Sequence, residues 1–137
     1  MRLQKKMFFL PRKFSVVCNK IFLQFNLLSI PKDMEIPHMF LYIPLPDSST
    51  AIKVTIKEIV SKWREKNITK GKLPAYSAAR IRLEFSPHAE EAVIEVTSFC
   101  PKWRLPPKMN YGIYVQLSTI DSTYLQKDSP YLIVDTI

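Results

Sequence analysis

Glycine is scarce in this 137-residue sequence, which contains only Gly71 and Gly112. Globular proteins average about 7% glycine, so the turns of this chain must depend mainly on proline, aspartate, serine and asparagine. A phosphate-binding loop of the glycine-rich type needs several closely spaced glycines. The sequence therefore excludes the standard P-loop and dinucleotide-binding motifs.

Acidic residues are absent before Asp33, whereas the same stretch contains seven lysines and arginines. From residue 33 to residue 137 the chain has 13 basic and 12 acidic residues, so this part is nearly neutral. Almost all of the net charge of +8 thus belongs to the first 32 residues. This asymmetry divides the chain into a basic, apolar leader or arm, residues 1–32, and a single domain, residues 33–137.

The apolar residues of the leader recur every three or four positions, which is the spacing of one helix face. Because Pro11 interrupts the run, the spacing predicts a helix over residues 12–28. Such an acid-free segment suits a mitochondrial targeting sequence, a helix on a membrane surface, an arm that contacts RNA, or an element docked on the domain. No apolar stretch approaches the ~18 residues of a membrane-spanning helix.

Disulfide and metal-binding patterns are also missing from the sequence. Cys18 and Cys100 are far apart, and the cysteines and histidines do not have the spacing of a zinc site. We expect an intracellular protein, mitochondrial or cytoplasmic, that holds no metal and no other cofactor.

The domain is predicted to be α+β, with a small antiparallel or mixed sheet and one main amphipathic helix. Thr55 and Glu58 fit a capping box, and the apolar spacing that follows predicts a helix to about Asn67. Runs of β-branched and aromatic residues predict the strands. They are His38–Leu45, Ala51–Thr55, Arg80–Phe85, Ala92–Phe99, Tyr111–Ile120 and Tyr131–Ile137. The strand–strand–helix order of Met39–Asn67 resembles the first half of a ubiquitin-like β-grasp.

Candidate catalytic residues are few. Cys100 and His88 are the residue types of a nucleophile and its base, but nothing around Cys100 matches a known nucleophile motif. His38 begins a predicted strand and His88 lies in a polar turn, where histidines are usually structural or solvated. We expect a protein that is not an enzyme, with a small enzyme that uses Cys100 or His88 as the less favoured alternative.

The most distinctive local feature is the stretch 100–108, which joins two predicted strands and contains three prolines and three basic residues. Prolines stiffen such a loop, so little entropy is lost when it binds. The candidate binding residues are Lys102, Trp103, Arg104 and Lys108. The alternative is that Trp103 packs on the sheet and the charges are solvated. The same Lys-Trp-Arg triplet recurs at 62–64, which we interpret as chance because Trp63 falls on the apolar face of the predicted helix.

These patterns predict a small non-enzymatic binding module that makes protein–protein contacts through loop 100–108. Trp and Arg are favoured at interfaces, which supports this choice. The alternative is a mitochondrially targeted, RNA-contacting accessory protein of the organellar-ribosome type, in which loop 100–108 or the N-terminal arm meets phosphate. A membrane surface is a further possible partner for residues 12–28.

Overall fold

The computed structural model describes residues 5–106, 109–118 and 129–137. Within these ranges the chain forms nine strands, two short helices and one 3-10 turn. The strands are β1 (Lys5–Phe9), β2 (Lys13–Val17), β3 (Lys20–Gln24), β4 (His38–Pro44), β5 (Ile52–Ile59), β6 (Tyr76–Phe85), β7 (Glu91–Glu95), β8 (Ile113–Leu117) and β9 (Tyr131–Thr136). The helices are α1 (Glu65–Thr69) and α2 (Cys100–Trp103), and the 3-10 turn Thr97–Phe99 leads into α2.

The strands form two antiparallel sheets that share one core. The four-stranded sheet has the order β1-β9-β4-β7, and the five-stranded sheet has the order β2-β3-β8-β5-β6. Side chains alternate along each strand, so that Met39, Leu41 and Ile43 of β4 are buried while their neighbours are not. The inward side chains of both sheets belong to one apolar cluster, which makes the molecule a two-layer β-sandwich.

The expectation of an α+β domain with one main amphipathic helix is wrong, because the described chain is mostly β. Strand β5 occupies the segment in which the helix was predicted to begin. Its β-branched residues Ile52, Val54 and Ile56 alternate into the core, and pairing with both β6 and β8 outweighs the capping box. Strands β4 and β5 lie in different sheets, so the hairpin that opens a β-grasp is not formed either.

The helix predicted over residues 12–28 is also wrong. Strands β2 and β3 form an antiparallel hairpin there, and β3 also pairs with β8 inside the five-stranded sheet. Cys18, with a φ of 54°, supplies the left-handed residue of the hairpin turn in place of a glycine. Strand β1 pairs with β9 in the other sheet. The described part of the basic leader therefore supplies strands to both sheets, because its apolar residues also fit an alternating pattern.

The remaining strand predictions are confirmed, although their ends shift. His38–Leu45 corresponds to β4, and Arg80–Phe85 is the second half of β6. Of the strand predicted at Tyr111–Ile120, residues 113–117 form β8, while residues 119 and 120 lie outside the described ranges. Neither helix in the described ranges is long and apolar enough to cross a membrane.

A second, smaller apolar cluster lies on the outer face of the five-stranded sheet. Phe22 of β3 and Tyr114 of β8 point away from the main core and pack with Ile59, Trp63 and Ile68. The chain between β5 and β6 thus folds back over the sheet, and α1 contacts β2. This covering segment brings residues 62–64 beside the start of β2.

Candidate anion-binding cleft

The indole of Trp103, the central residue of the sequence-predicted site, lies inside the molecule. Trp103 is 1% exposed, and its ring packs against Phe25 and Phe99, with ring centroids 5.5 Å and 5.7 Å away. Its backbone carbonyl accepts a hydrogen bond from the Leu27 amide at 3.2 Å. A base or a partner side chain needs an open ring face to stack, and the buried ring offers none.

The two described cations of the loop have partners within the chain. Lys102 forms an ion pair with Glu58, although its side chain remains 59% exposed. The guanidinium of Arg104 donates to the carbonyls of Pro31 at 2.7 Å and Met34 at 3.0 Å. Lys108 lies outside the described residues. The structure therefore shows structural contacts for Trp103 and Arg104, and binding by the loop stays a prediction.

The other Lys-Trp-Arg triplet, at 62–64, lines an open cleft of about 300 Å³. We call it the basic cleft, because four of its seven lining residues are cationic. They come from two distant parts of the sequence, one before β3 and one between β5 and α1. The lining residues are Arg12, Lys13, Gln24, Lys62, Trp63, Arg64 and Tyr111.

Strand pairing positions one half of the basic cleft. The Arg12 amide donates to the Gln24 carbonyl at 2.6 Å, which continues the β2–β3 ladder, and Lys13 lies opposite Gln24 in register. The Arg12 guanidinium also donates to the Gln24 side-chain oxygen at 2.9 Å. The Gln24 amide in turn donates to the carbonyl of Asn110. Arg12 and Lys13 are therefore placed by the end of a buried strand and not by a mobile tail.

A buried indole positions the other half. Trp63 packs on Phe22 with ring centroids 6.0 Å apart, and its ring nitrogen donates to the Tyr111 carbonyl at 2.6 Å. Because Trp63 is fixed in this way, its neighbours Lys62 and Arg64 are fixed at the backbone on either side of it. Lys13 joins the two halves: its ammonium donates to the Trp63 carbonyl at 3.1 Å and lies 5.4 Å from the centre of the Trp63 ring.

The described residues that line the cleft carry an excess of positive charge. Among the described residues, no carboxylate forms an ion pair with any of the four cations. Burial lowers the pKa of Lys13, as do the charges of Arg12 and, to a smaller extent, Arg64, while Glu65 opposes the shift. Like charges held this closely favour an anion from outside, since it relieves their repulsion.

Sequence reasoning missed this cleft. It assigned Arg12 and Lys13 to a leader and treated the 62–64 triplet as a chance repeat on a helix. The available signal was the pair of identical triplets, each with a tryptophan between two cations. The contact of Lys13 with Trp63 joins positions 50 residues apart, and it forms because the segment after β5 folds back over the sheet onto β2.

The residues considered for catalysis lie apart from the basic cleft. His88 sits in an exposed turn with a φ of 65°, and its ring nitrogen lies 2.8 Å from an Asp47 carboxylate oxygen. Cys100 is buried at the start of α2, and burial raises the pKa of its thiol. Within the described ranges, no three histidine, cysteine, aspartate or glutamate side chains form a group suited to a metal ion.

Comparison with known proteins adds no family to this picture. No known protein family matches the chain, and no curated protein matches its sequence. The proposals below are therefore based on the geometry of the described residues.

Proposed function

We propose that the protein is a non-enzymatic binding module that makes protein–protein contacts, and that its basic cleft receives an acidic segment of the partner. The observation that carries the proposal is the set of four cations, Arg12, Lys13, Lys62 and Arg64, held together without a carboxylate partner among the described residues. Carboxylates of a partner would form charge-assisted hydrogen bonds there. The same charges would steer an acidic partner during encounter.

A neighbouring apolar groove favours a polypeptide over a nucleic acid. Tyr111 lines both the basic cleft and a second depression of about 200 Å³. Val60, Leu105 and Met109 line this groove and are exposed, and the ion pair of Lys102 with Glu58 lines it as well. A segment with acidic residues followed by an apolar side chain would fill both sites, whereas a single-stranded nucleic acid would have to place an unstacked base in the apolar one. Loop 100–108 would then contribute Lys102 and Leu105 to the contact.

Binding of a defined acidic probe tests the proposal. A fluorescein-labelled peptide, in which four glutamates are followed by leucines, is titrated with the protein while fluorescence anisotropy is recorded. We expect salt-sensitive binding that weakens at least about tenfold in the double variant Lys62→Glu, Arg64→Glu, because two attractive charges become repulsive. The matched control is Lys70→Glu, Lys72→Glu, which makes the same charge change in the exposed connection after α1.

The outcomes of this titration separate the two functions. Equal loss of affinity in both double variants would mean that net charge and not the basic cleft governs binding, and absence of peptide binding would refute the proposal. The alternative function, an RNA-contacting accessory protein of the organellar-ribosome type, predicts that labelled oligouridine binds and the acidic peptide does not. The basic cleft supports this alternative too, because the same four cations suit phosphates.

We also propose that the protein is located in mitochondria or in the cytoplasm. Removal of residues 1–32 would take away β1, β2 and β3, including the buried residues Ile21 and Leu23. We therefore propose that the working protein retains these strands. Intact mass of the protein from its native cells tests this, and loss of about thirty residues would contradict it and favour a cleaved targeting sequence.

A further inference from the structure

The outer face of the four-stranded sheet exposes an apolar surface that no other layer of the described chain covers. Phe8 is 59% exposed and Val93 is 42% exposed, at opposite edges of the sheet. Between them the rings of Tyr42 and Tyr131 stack with centroids 4.8 Å apart. The aromatic face, as we call this surface, comprises Phe8, Phe40, Tyr42, Val93, Tyr131 and Ile133.

Register places these six side chains in two adjacent rows across the sheet. Phe8, Ile133 and Phe40 are direct cross-strand neighbours in one row. Tyr131, Tyr42 and Val93 form the next row. Continuous apolar patches of this kind are uncommon on monomeric proteins and mark interaction surfaces.

The charges around the aromatic face are divided between its two edges. Lys6 lies on the outer side of β1, at one edge, where it pairs with the buried Asp135 at 3.7 Å while its own side chain stays 74% exposed. Glu91 and Glu95 lie on the outer side of β7, at the opposite edge, and the half-exposed Glu95 carboxylate also lies 3.3 Å from the His38 ring nitrogen. The surface is thus apolar in the centre, basic on one side and acidic on the other, and such a surface is complementary to a copy of itself.

We propose that the aromatic face is the interface of a symmetric homodimer, whose two-fold axis runs parallel to the strands. That axis lays β1 of one copy over β7 of the other. Lys6 of each copy then faces the edge of the partner sheet that carries Glu95, and symmetry makes this contact occur twice in the dimer. A two-fold axis in the sheet plane but perpendicular to the strands would lay β1 over β1 and β7 over β7, so that edges of like charge face each other, and it is disfavoured by repulsion. The apolar rows of both copies are then removed from water.

The oligomeric state in solution tests the inference independently of the basic cleft. Sedimentation velocity of the full chain, from about 1 to about 200 µM, is expected to show a concentration-dependent dimer. Phe8→Asp and Val93→Asp each place a charge in the apolar rows and are expected to weaken dimerisation at least tenfold. Leu73→Asp is the matched control, because Leu73 is an exposed leucine in the connection before β6. A monomeric wild type, or a dimer that survives both changes, overturns the proposal.

A charge swap tests the direction of the axis. Lys6→Glu and Glu95→Lys are each expected to weaken the dimer, because each creates a like-charge pair across the interface. The double variant Lys6→Glu, Glu95→Lys restores opposite charges and is expected to recover most of the lost affinity. Absence of recovery overturns the proposed axis. Circular dichroism of each variant confirms that the sandwich is intact.

Discussion

The two Lys-Trp-Arg triplets of this chain have the same sequence and different roles. At 102–104 the indole lies in the main core, the lysine pairs with Glu58, and the arginine holds the carbonyls of Pro31 and Met34. At 62–64 the indole lies in the smaller outer cluster, and the two cations line the basic cleft. A local motif therefore does not show whether a charged side chain is free to bind a ligand, because the groups that pair with that side chain come from elsewhere in the chain.

The largest expected effect is the loss of stability when either of the two tryptophans is replaced by alanine. Trp103→Ala leaves a large cavity beside Phe25 and Phe99 in the main core and is expected to lower the free energy of unfolding by about 4 kcal/mol. Trp63→Ala removes a buried ring from the smaller cluster together with its hydrogen bond to the Tyr111 carbonyl, and we expect a loss of about 3 kcal/mol. Urea unfolding followed by circular dichroism measures both. Equal losses would mean that the two clusters are equally important for stability.

The two glycines differ in how closely another part of the chain approaches them, and a comparison of their alanine variants tests this difference. A Cβ on Gly112 would lie 2.0 Å from the Leu23 carbonyl oxygen, and its φ is +85°. We expect Gly112→Ala to cost about 3 kcal/mol, since clash and left-handed backbone add. Gly71, with a φ of +83°, has open space around its Cβ position, so Gly71→Ala should cost only about 1 kcal/mol. Urea midpoints of the two variants give the comparison, and similar losses would contradict the steric argument.

The smallest expected effect concerns the two arginines. Arg104→Ala removes hydrogen bonds to two carbonyls, and we expect the free energy of unfolding to fall by about 1 kcal/mol. Arg64→Ala should leave stability nearly unchanged, because Arg64 is exposed and forms no ion pair with the described carboxylates. For binding of the glutamate peptide we expect the opposite order, with a larger loss of affinity in Arg64→Ala than in Arg104→Ala. If Arg104→Ala weakens peptide binding more, loop 100–108 and not the basic cleft is the main contact.

Much of the strand content was predictable from the sequence, and the layer arrangement was not. Polar and apolar residues alternate so regularly in Arg80–Phe85 that the sequence alone predicts a strand there. The segment after Ala51 contains two competing patterns, a capping box and a β-branched alternation, and pairing with β6 and β8 decides between them. The leader presents the same ambiguity, because Ile21 and Leu23 fit either a helix stripe or a strand face.

By itself, the sequence determined the positions of β4, β7, β8 and β9 and of the second half of β6, the uneven distribution of charge and the absence of glycine-rich phosphate loops. Only the tertiary structure decided that the leader supplies strands, that Trp103 is buried and that Lys13 meets Trp63. The physical reason is that alternation and β-branching act over a few residues. A strand's neighbours in a sheet, and therefore the surroundings of each charge, depend on contacts between residues far apart in the chain.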